Sequence, residues 1–343
     1  MIEVMLQRVS MFILLPMLAN YSHGDLRADG HAPAGVMFEH MHHHGAMIGY
    51  RVQQVTQQGS LLNGGDSLSS QSSLLTKYAM LPQKHTMTMH MLDIMYALSP
   101  KVNVMIMPMY MDMGMTMTVN GLYKSTTSAH SSHGVANHSH DVRGMGDTTL
   151  AAMYQVYKDQ QHELIATLAF IAPTGDESVL GGDGKPVHYG MQLGAGLWQT
   201  MPNITYNYKN HKIGFGVQLL TRQPLEDEND LGVKVPDMNQ ASVWLSYAWM
   251  PEFTNSIRLQ HSKTDSYGGH YNVSHNHSSP PDFQGNYGGE QTLIGLGANW
   301  VATVGQLKGL RVGVEYLTPI NENLNGVQLE TENQINFSMS KAF

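Results

Sequence analysis

Methionine at every second position is the first chemistry visible in this chain. In residues 85–118, HTMTMHMLDIMYALSPKVNVMIMPMYMDMGMTMT, the residues Met87, Met89, Met91 and Met95 share one parity. After Ser99-Pro100 the pattern resumes with Met105, Met107, Met109, Met111, Met113, Met115 and Met117. Thioether sulfur is a soft, uncharged ligand that selects Cu(I), whereas imidazole suits Cu(II), Zn(II) and Ni(II). A second cluster lies upstream, where residues 31–44 carry His31, Met37, His40, Met41, His42, His43 and His44. The candidate metal ligands are therefore His40, Met41, His42, His43 and His44, together with Met87, Met89, His90, Met91, Met105, Met107 and Met109 of the ladder. Copper is the metal this donor set favours, and no cofactor is assigned with certainty. A second reading stays open beside it, in which methionine is an adaptable apolar filler and the histidines are a solvated tail. Histidines 130, 133, 138 and 140, and 261, 270, 275 and 277, sit among Ser, Gly and Asn and read first as surface loop.

Only a strand gives such a row a common face, because strand side chains alternate with period two, whereas a helix would scatter them. The ladder is thus a hairpin that turns at Ser99-Pro100. Its other face carries Leu92, Ile94, Tyr96, Val102, Val104, Ile106 and Tyr110. Asp93 and Asn103 share the methionine parity and are unsuited to lipid. We therefore expect methionine inside and the Val/Ile/Tyr face outside, with Thr88 and His90 on that outer face near a membrane edge.

The rest of the chain repeats this scheme. The first strand is expected at 46–57. Alternating segments follow at 85–97, 102–118, 145–157, 162–172, 189–208, 212–222, 239–249, 256–266, 290–304, 310–318 and 327–343. Long polar joins (58–84, 119–144, 173–188, 223–238, 267–289 and 319–326) alternate with short ones. That alternation points to an all-β fold, a transmembrane antiparallel β-barrel of about 12 strands with both termini periplasmic. Residues 1–24 read as a secretory signal, with Arg8 before the apolar core 9–19. Residues 25–45 form a His/Met-rich segment at the periplasmic mouth or plugging the lumen, and 46–343 the outer-membrane barrel. Terminal Phe343, with Met339, Phe337 and Ile335 on its parity, resembles the label that such barrels present to the outer-membrane assembly machinery. The partners expected are that machinery, outer-membrane lipid, and a small solute or metal ion.

Composition sets exclusions. The chain has 343 residues, net charge −8, 26 methionines, 19 histidines and no cysteine. The negative charge argues against nucleic acid. Without cysteine there is no disulfide, thiolate site or cysteine nucleophile. Beyond the N-terminus no apolar run approaches the length of a membrane helix. Neither a nucleophile elbow nor a phosphate-binding glycine loop is present, so an enzyme is not expected. The acidic run LEDEND at 225–230 lacks EF-hand spacing.

Several stretches resemble a known family. These are HAPAGVMFEHMHHHGAMIGYR at 31–51, PQKHTMTMHMLDIMYALSPKVNVMIMPMY at 82–110, GMGDTTL at 144–150, IAPTGD at 171–176 and YGMQLGAGLWQTMPNITY at 189–206. Together they are similar to the bacterial outer-membrane proteins grouped as "MetA-pathway of phenol degradation" or transporter, in a His/Met-rich branch. The resemblance implies a bacterial outer-membrane barrel of uncertain substrate. The resulting expectation is a channel or transporter for small solutes, with copper or another soft metal handled by the His/Met side chains. Two alternatives stand beside it: a passive pore for small apolar or aromatic compounds, and a plugged, metal-storing surface barrel.

Overall fold

A computed structural model describes residues 31–69, 72–121 and 137–343. The expected signal at 1–24 lies outside the described residues, as do His130 and His133. The strands are β1 (Ala46–Gly64), β2 (Asp66–Ser67), β3 (Met80–Ser99), β4 (Val102–Met107), β5 (Met109–Val119), β6 (Asn137–Met145), β7 (Thr148–Lys158), β8 (His162–Ala172), β9 (Gln199–Lys209), β10 (Ile213–Pro224), β11 (Val233–Lys234), β12 (Met238–Met250), β13 (Phe253–Thr264), β14 (Gly268–Gly269), β15 (Gly289–Val301) and β16 (Leu310–Ala342).

Pairing is antiparallel, and the sheet closes when β1 bonds to β3. The ring runs β1, β16, β15, β13, β12, β10, β9, β8, β7, β4, β3 and back to β1, eleven strand elements in all. Beside these eleven, β5 pairs with β3, β6 with β5 and β2 with β1, and β11 pairs with β14 in a separate two-stranded sheet. The expected count of about 12 differs from eleven because of β16. Its residues up to Leu324 pair with β15, and those from Leu324 onward pair with β1. The element folds back on itself near Gly326, whose φ of 59° suits a residue without Cβ. Asn336 accordingly reaches Glu315 at 3.0 Å.

The two faces of the ladder separate as strand alternation requires. Met91, Met95, Met105, Met107, Met111, Met113, Met115 and Met117 are buried inside. Ile94, Tyr96, Ile106 and Tyr110 are exposed outside, joined around the wall by Leu168, Phe170, Ile204, Leu245, Trp249, Leu296 and Tyr316. Apolar side chains out and packed or polar ones in is the pattern of a barrel whose solvent is lipid. Pro108 interrupts the ladder strand between β4 and β5, as expected for a residue that cannot donate to the sheet.

One expected strand is corrected. Residues 189–198 do not continue the wall; β9 begins only at Gln199, and the chain before it folds over the long-loop end. Tyr189, Met191, Leu193 and Leu197 are buried there. Their alternation reflects packing on the upper methionines and on a tyrosine cluster rather than a sheet facing lipid.

Candidate functional site

At the short-turn end, residues 31–45 lie inside the barrel. Inward-facing side chains hold the segment mainly through its backbone carbonyls. Asn299 donates to Ala32 O at 3.1 Å, and Arg51 to Ala34 O and Val36 O at 3.2 and 2.9 Å. Gln218 donates to Met37 O at 2.6 Å, Thr205 to Phe38 O at 3.5 Å and Asn207 to Glu39 O at 2.7 Å. In return the Gly35 N–H donates to Glu315 Oε2 at 3.0 Å. These partners come from β15, β1, β10, β9 and β16, so the segment is tied to opposite sides of the wall. Carbonyls taken out of water need such donors.

Against it lies a buried charge network. Arg258 Nε sits 2.8 Å from Glu315 Oε1, and both residues are about 1% exposed. Arg51 pairs with buried Asp93. Removing either partner of such a pair leaves an uncompensated charge, a loss of roughly 3–5 kcal/mol.

Beside it the lower half of the ladder forms an apolar bed. Phe38 and Met41 pack with Met47, Met91, Met95, Met105 and Met107. Here methionine acts as the adaptable filler that an irregular, aromatic-bearing segment needs. Phe38 itself has φ 57°, alone among the described non-glycine residues in that region.

The histidines of the segment divide. His31, Glu39 and His40 bring their ligand atoms within 4.8 Å of one another. The His40 ring packs edge-on against those of His31 and His42, at 5.0 and 5.1 Å. His40 Nδ1–H donates to Glu39, and Arg311 Nη1 donates to His40 Nε2 at 3.1 Å. Burial, and then the Arg311 charge, lower the His31 pKa to about 4. Burial, with His40 and Arg311 beside it, lowers that of His42 to about 2. Burial alone would raise the Glu39 carboxyl, but His40 and His31 hold it well below the usual range. A cleft beside these groups is lined by His31, Glu39, His40, Arg51, Asp93 and Arg311.

The remaining candidate ligands scatter. Met41 is buried in the methionine bed. His42 Nε2 lies 2.9 Å from Met47 Sδ. His43 leaves the segment, its Nδ1 reaching Pro100 O and its Nε2 accepting from Lys158 at 2.9 Å, and His44 is exposed. His90 faces outward, hydrogen-bonded to Tyr50 at 2.6 Å and away from Met87, Met89, Met91, Met105, Met107 and Met109. His31 and Glu39 were missing from the candidate set. Their signal was the HAPAGVMFEH spacing, which becomes a site only when the chain turns at Phe38.

The upper half of the ladder meets the loops at the long-loop end. Met111, Met113, Met115 and Met117 pack with Val142, Val187, Met191 and Leu193. His188 Nδ1–H donates to Asp282 Oδ1 at 2.8 Å, while Ser279 Oγ donates to the other carboxylate oxygen at 2.8 Å. The serine bonds to the acid rather than to the imidazole, which is not the order of an activated nucleophile. Tyr189 stacks on Tyr271 at 4.4 Å.

Comparison with known proteins gives likenesses of fold. No family model matches the chain, and no curated protein matches it in sequence. Among solved structures it is similar to the COG4313 outer membrane channel from Pseudomonas putida F1, with TM-score 0.58 and 17% identity over 90% of this chain and 98% of that one. The chain is an outer-membrane β-barrel. Weaker likenesses extend to the transport unit of the autotransporter AIDA-I from Escherichia coli (TM-score 0.46, 12% identity, 90% and 93% of the two chains). A Pseudomonas aeruginosa FadL homologue gives TM-score 0.43 and 8% identity over 93% and 98%. A closed wall with an apolar outer face and this fold place the protein in the bacterial outer membrane.

Proposed function

We propose that this barrel is an outer-membrane channel for small solutes whose short-turn end is closed by residues 31–45. The observation that carries the reading is the segment's seating, with backbone carbonyls held by inward side chains of strands on opposite sides of the lumen. A merely structural N-terminal strand would be expected to extend the sheet; this one crosses the bore. In this reading β16 supplies two spans and the wall has twelve, an even number as single-chain bacterial barrels have. Short turns and both termini then face the periplasm, and Phe343 is the part offered to the assembly machinery.

The lumen has two chemistries. Methionine lines the β3–β5 side, and Thr205, Gln218, Ser242, Ser256, Arg258 and Gln260 are buried along β9–β13. A small solute with one apolar face and one hydrogen-bonding edge fits such a bore. A second reading, handling of copper or another soft metal, is favoured by the convergence of His31, Glu39 and His40. In it these three residues capture the ion at the mouth, and the ladder sulfurs offer weak Cu(I) sites along the wall.

The test is conductance in planar bilayers of the full barrel beside a variant lacking residues 31–45, with copper content measured on both. A clear rise in open-channel current on deletion supports the plugged channel. Equal current in the two proteins rules it out. Copper that is lost with the segment supports the second reading, and copper content that does not change removes residues 31–45 from it.

A further inference from the structure

One register row crosses four strands on the inner wall near the long-loop end. Gln57 of β1 pairs with His85 of β3, His85 with Met115 of β5, and Met115 with His140 of β6. Directly opposed residues share a face and stand about 5 Å apart. The loop residue His188 closes over this row. Its ring meets that of His140 edge-on at 5.1 Å. Val187, its chain neighbour, packs in one cluster with Met115.

The two inner imidazoles are wired alike. His85 Nδ1–H donates to Gln57 Oε1 at 2.9 Å, and His188 Nδ1–H donates to Asp282 Oδ1 at 2.8 Å. In a neutral ring each such acceptor leaves the lone pair on Nε2. Both Nε2 atoms are buried, and among the described residues neither has a hydrogen-bond partner. The His188 side chain is only 7% exposed. A buried polar atom left without a partner costs about 1–3 kcal/mol, and here there are two in one place. Their surroundings cannot relieve them, because a thioether accepts hydrogen bonds but donates none. A cation can. Imidazoles whose Nδ1–H is held by a carboxylate or amide oxygen are the arrangement by which proteins aim histidine at a metal.

We propose that His85, His188 and the Met115 thioether form a Cu(I) site beneath the outer loops, with His140 at its edge. Two neutral imidazoles and a sulfur suit a soft monovalent ion; zinc sites use thiolate, imidazole and carboxylate rather than thioether. The site is separate from His31, Glu39 and His40, and it does not depend on whether the barrel conducts.

The experiment uses the full folded barrel in detergent, carrying His31→Ala and His40→Ala so that the His31–Glu39–His40 cluster is removed. Cu(I) is titrated against a chromogenic chelator, and the bound ion is examined by X-ray absorption. The expected result is one tight Cu(I) with nitrogen and sulfur in its shell. His85→Gln or His188→Gln should weaken it by roughly tenfold or more. Met115→Leu, which nearly conserves volume, should remove sulfur from the shell, whereas Met339→Leu on the outer face should change nothing. Heat-shifted gel mobility verifies that each variant is folded. Affinity that is unchanged in both histidine variants overturns the site, as does an all-sulfur shell. Zn²⁺ bound in preference to Cu(I) overturns the assignment of a soft ion.

Discussion

The backbone N–H of Gly35 donates to the carboxylate of Glu315, 280 positions along the chain, at 3.0 Å. A Cβ on Gly35 would meet that carboxylate, the Arg258 guanidinium and the Asn336 amide. At Gly35 the inserted segment therefore packs directly against the buried Arg258–Glu315 pair, and a side chain there would have to displace that network.

Gly35→Val should dislodge the segment without unfolding the barrel, because the Arg258–Glu315 pair belongs to wall strands that are paired independently of it. Single-channel recording should show longer openings than in the unaltered protein, with heat-shifted gel mobility retained. Openings of unaltered duration would mean that the segment does not occlude the bore.

Acidification should act in the same direction. Docked, His31 has a pKa of about 4 and His42 of about 2, against 6.5 when free. At pH 7 the docked rings are neutral and the free ones only about a quarter protonated, so docking is little affected. As pH falls below 6.5 the released segment takes up protons and the docked one does not, so docking weakens. At pH 5 this amounts to at most about 2 kcal/mol per histidine. Glu39, held below its ordinary 4.5, keeps its contribution down to that pH and loses it as the pH falls further. Channel opening should rise between pH 6.5 and 4, and His31→Gln with His42→Gln should flatten the profile. A profile unaffected by that double change would assign the titration elsewhere.

Much of this was legible in the residues, and the limits have physical causes. The parity of Met91, Met95 and Met105 against Ile94, Tyr96 and Ile106 sets inside from outside without any tertiary knowledge, since a strand has only two faces. The same parity misleads at Tyr189, Met191 and Leu193, where a loop buries alternate side chains on the ladder and tyrosines. Period two reports burial on one side and cannot name what does the burying. His31 and Glu39 could not be singled out because their company depends on Arg311 and on a turn at Phe38. The proposed site of His85, Met115 and His188 joins two strands to a distant loop, and no local pattern announces it.

Arg51 ties the segment to the wall twice, through Ala34 O and Val36 O, and its own charge is met by Asp93. Arg51→Met keeps the stem's bulk but strands a buried carboxylate that is about 2% exposed. The loss should be roughly 3–5 kcal/mol. Arg51→Met with Asp93→Asn removes the stranded charge and should recover part of it. Chemical denaturation of the folded barrel measures both; a double variant no more stable than the single one would show that the carbonyl contacts, rather than the ion pair, carry the effect.

Phe38 sets two opposed terms against each other. Its burial among Met91, Met95 and Met105 is worth about 3–5 kcal/mol relative to alanine. Its φ of 57° costs roughly 1–3 kcal/mol for a side chain with Cβ. Phe38→Ala loses the burial and keeps the strain, so docking should weaken by the full packing term. Phe38→Gly loses the burial and also sheds the strain, so it should weaken docking less, by about 2 kcal/mol relative to the alanine variant, or on the order of thirtyfold in the ratio of open to closed channels. Burial still outweighs strain, so both variants should open more often than the unaltered barrel. Glycine milder than alanine reverses the order seen in ordinary strand positions. Single-channel open probability of the three proteins decides it, and an alanine variant no more open than the glycine one would show that the turn at Phe38 stores no strain.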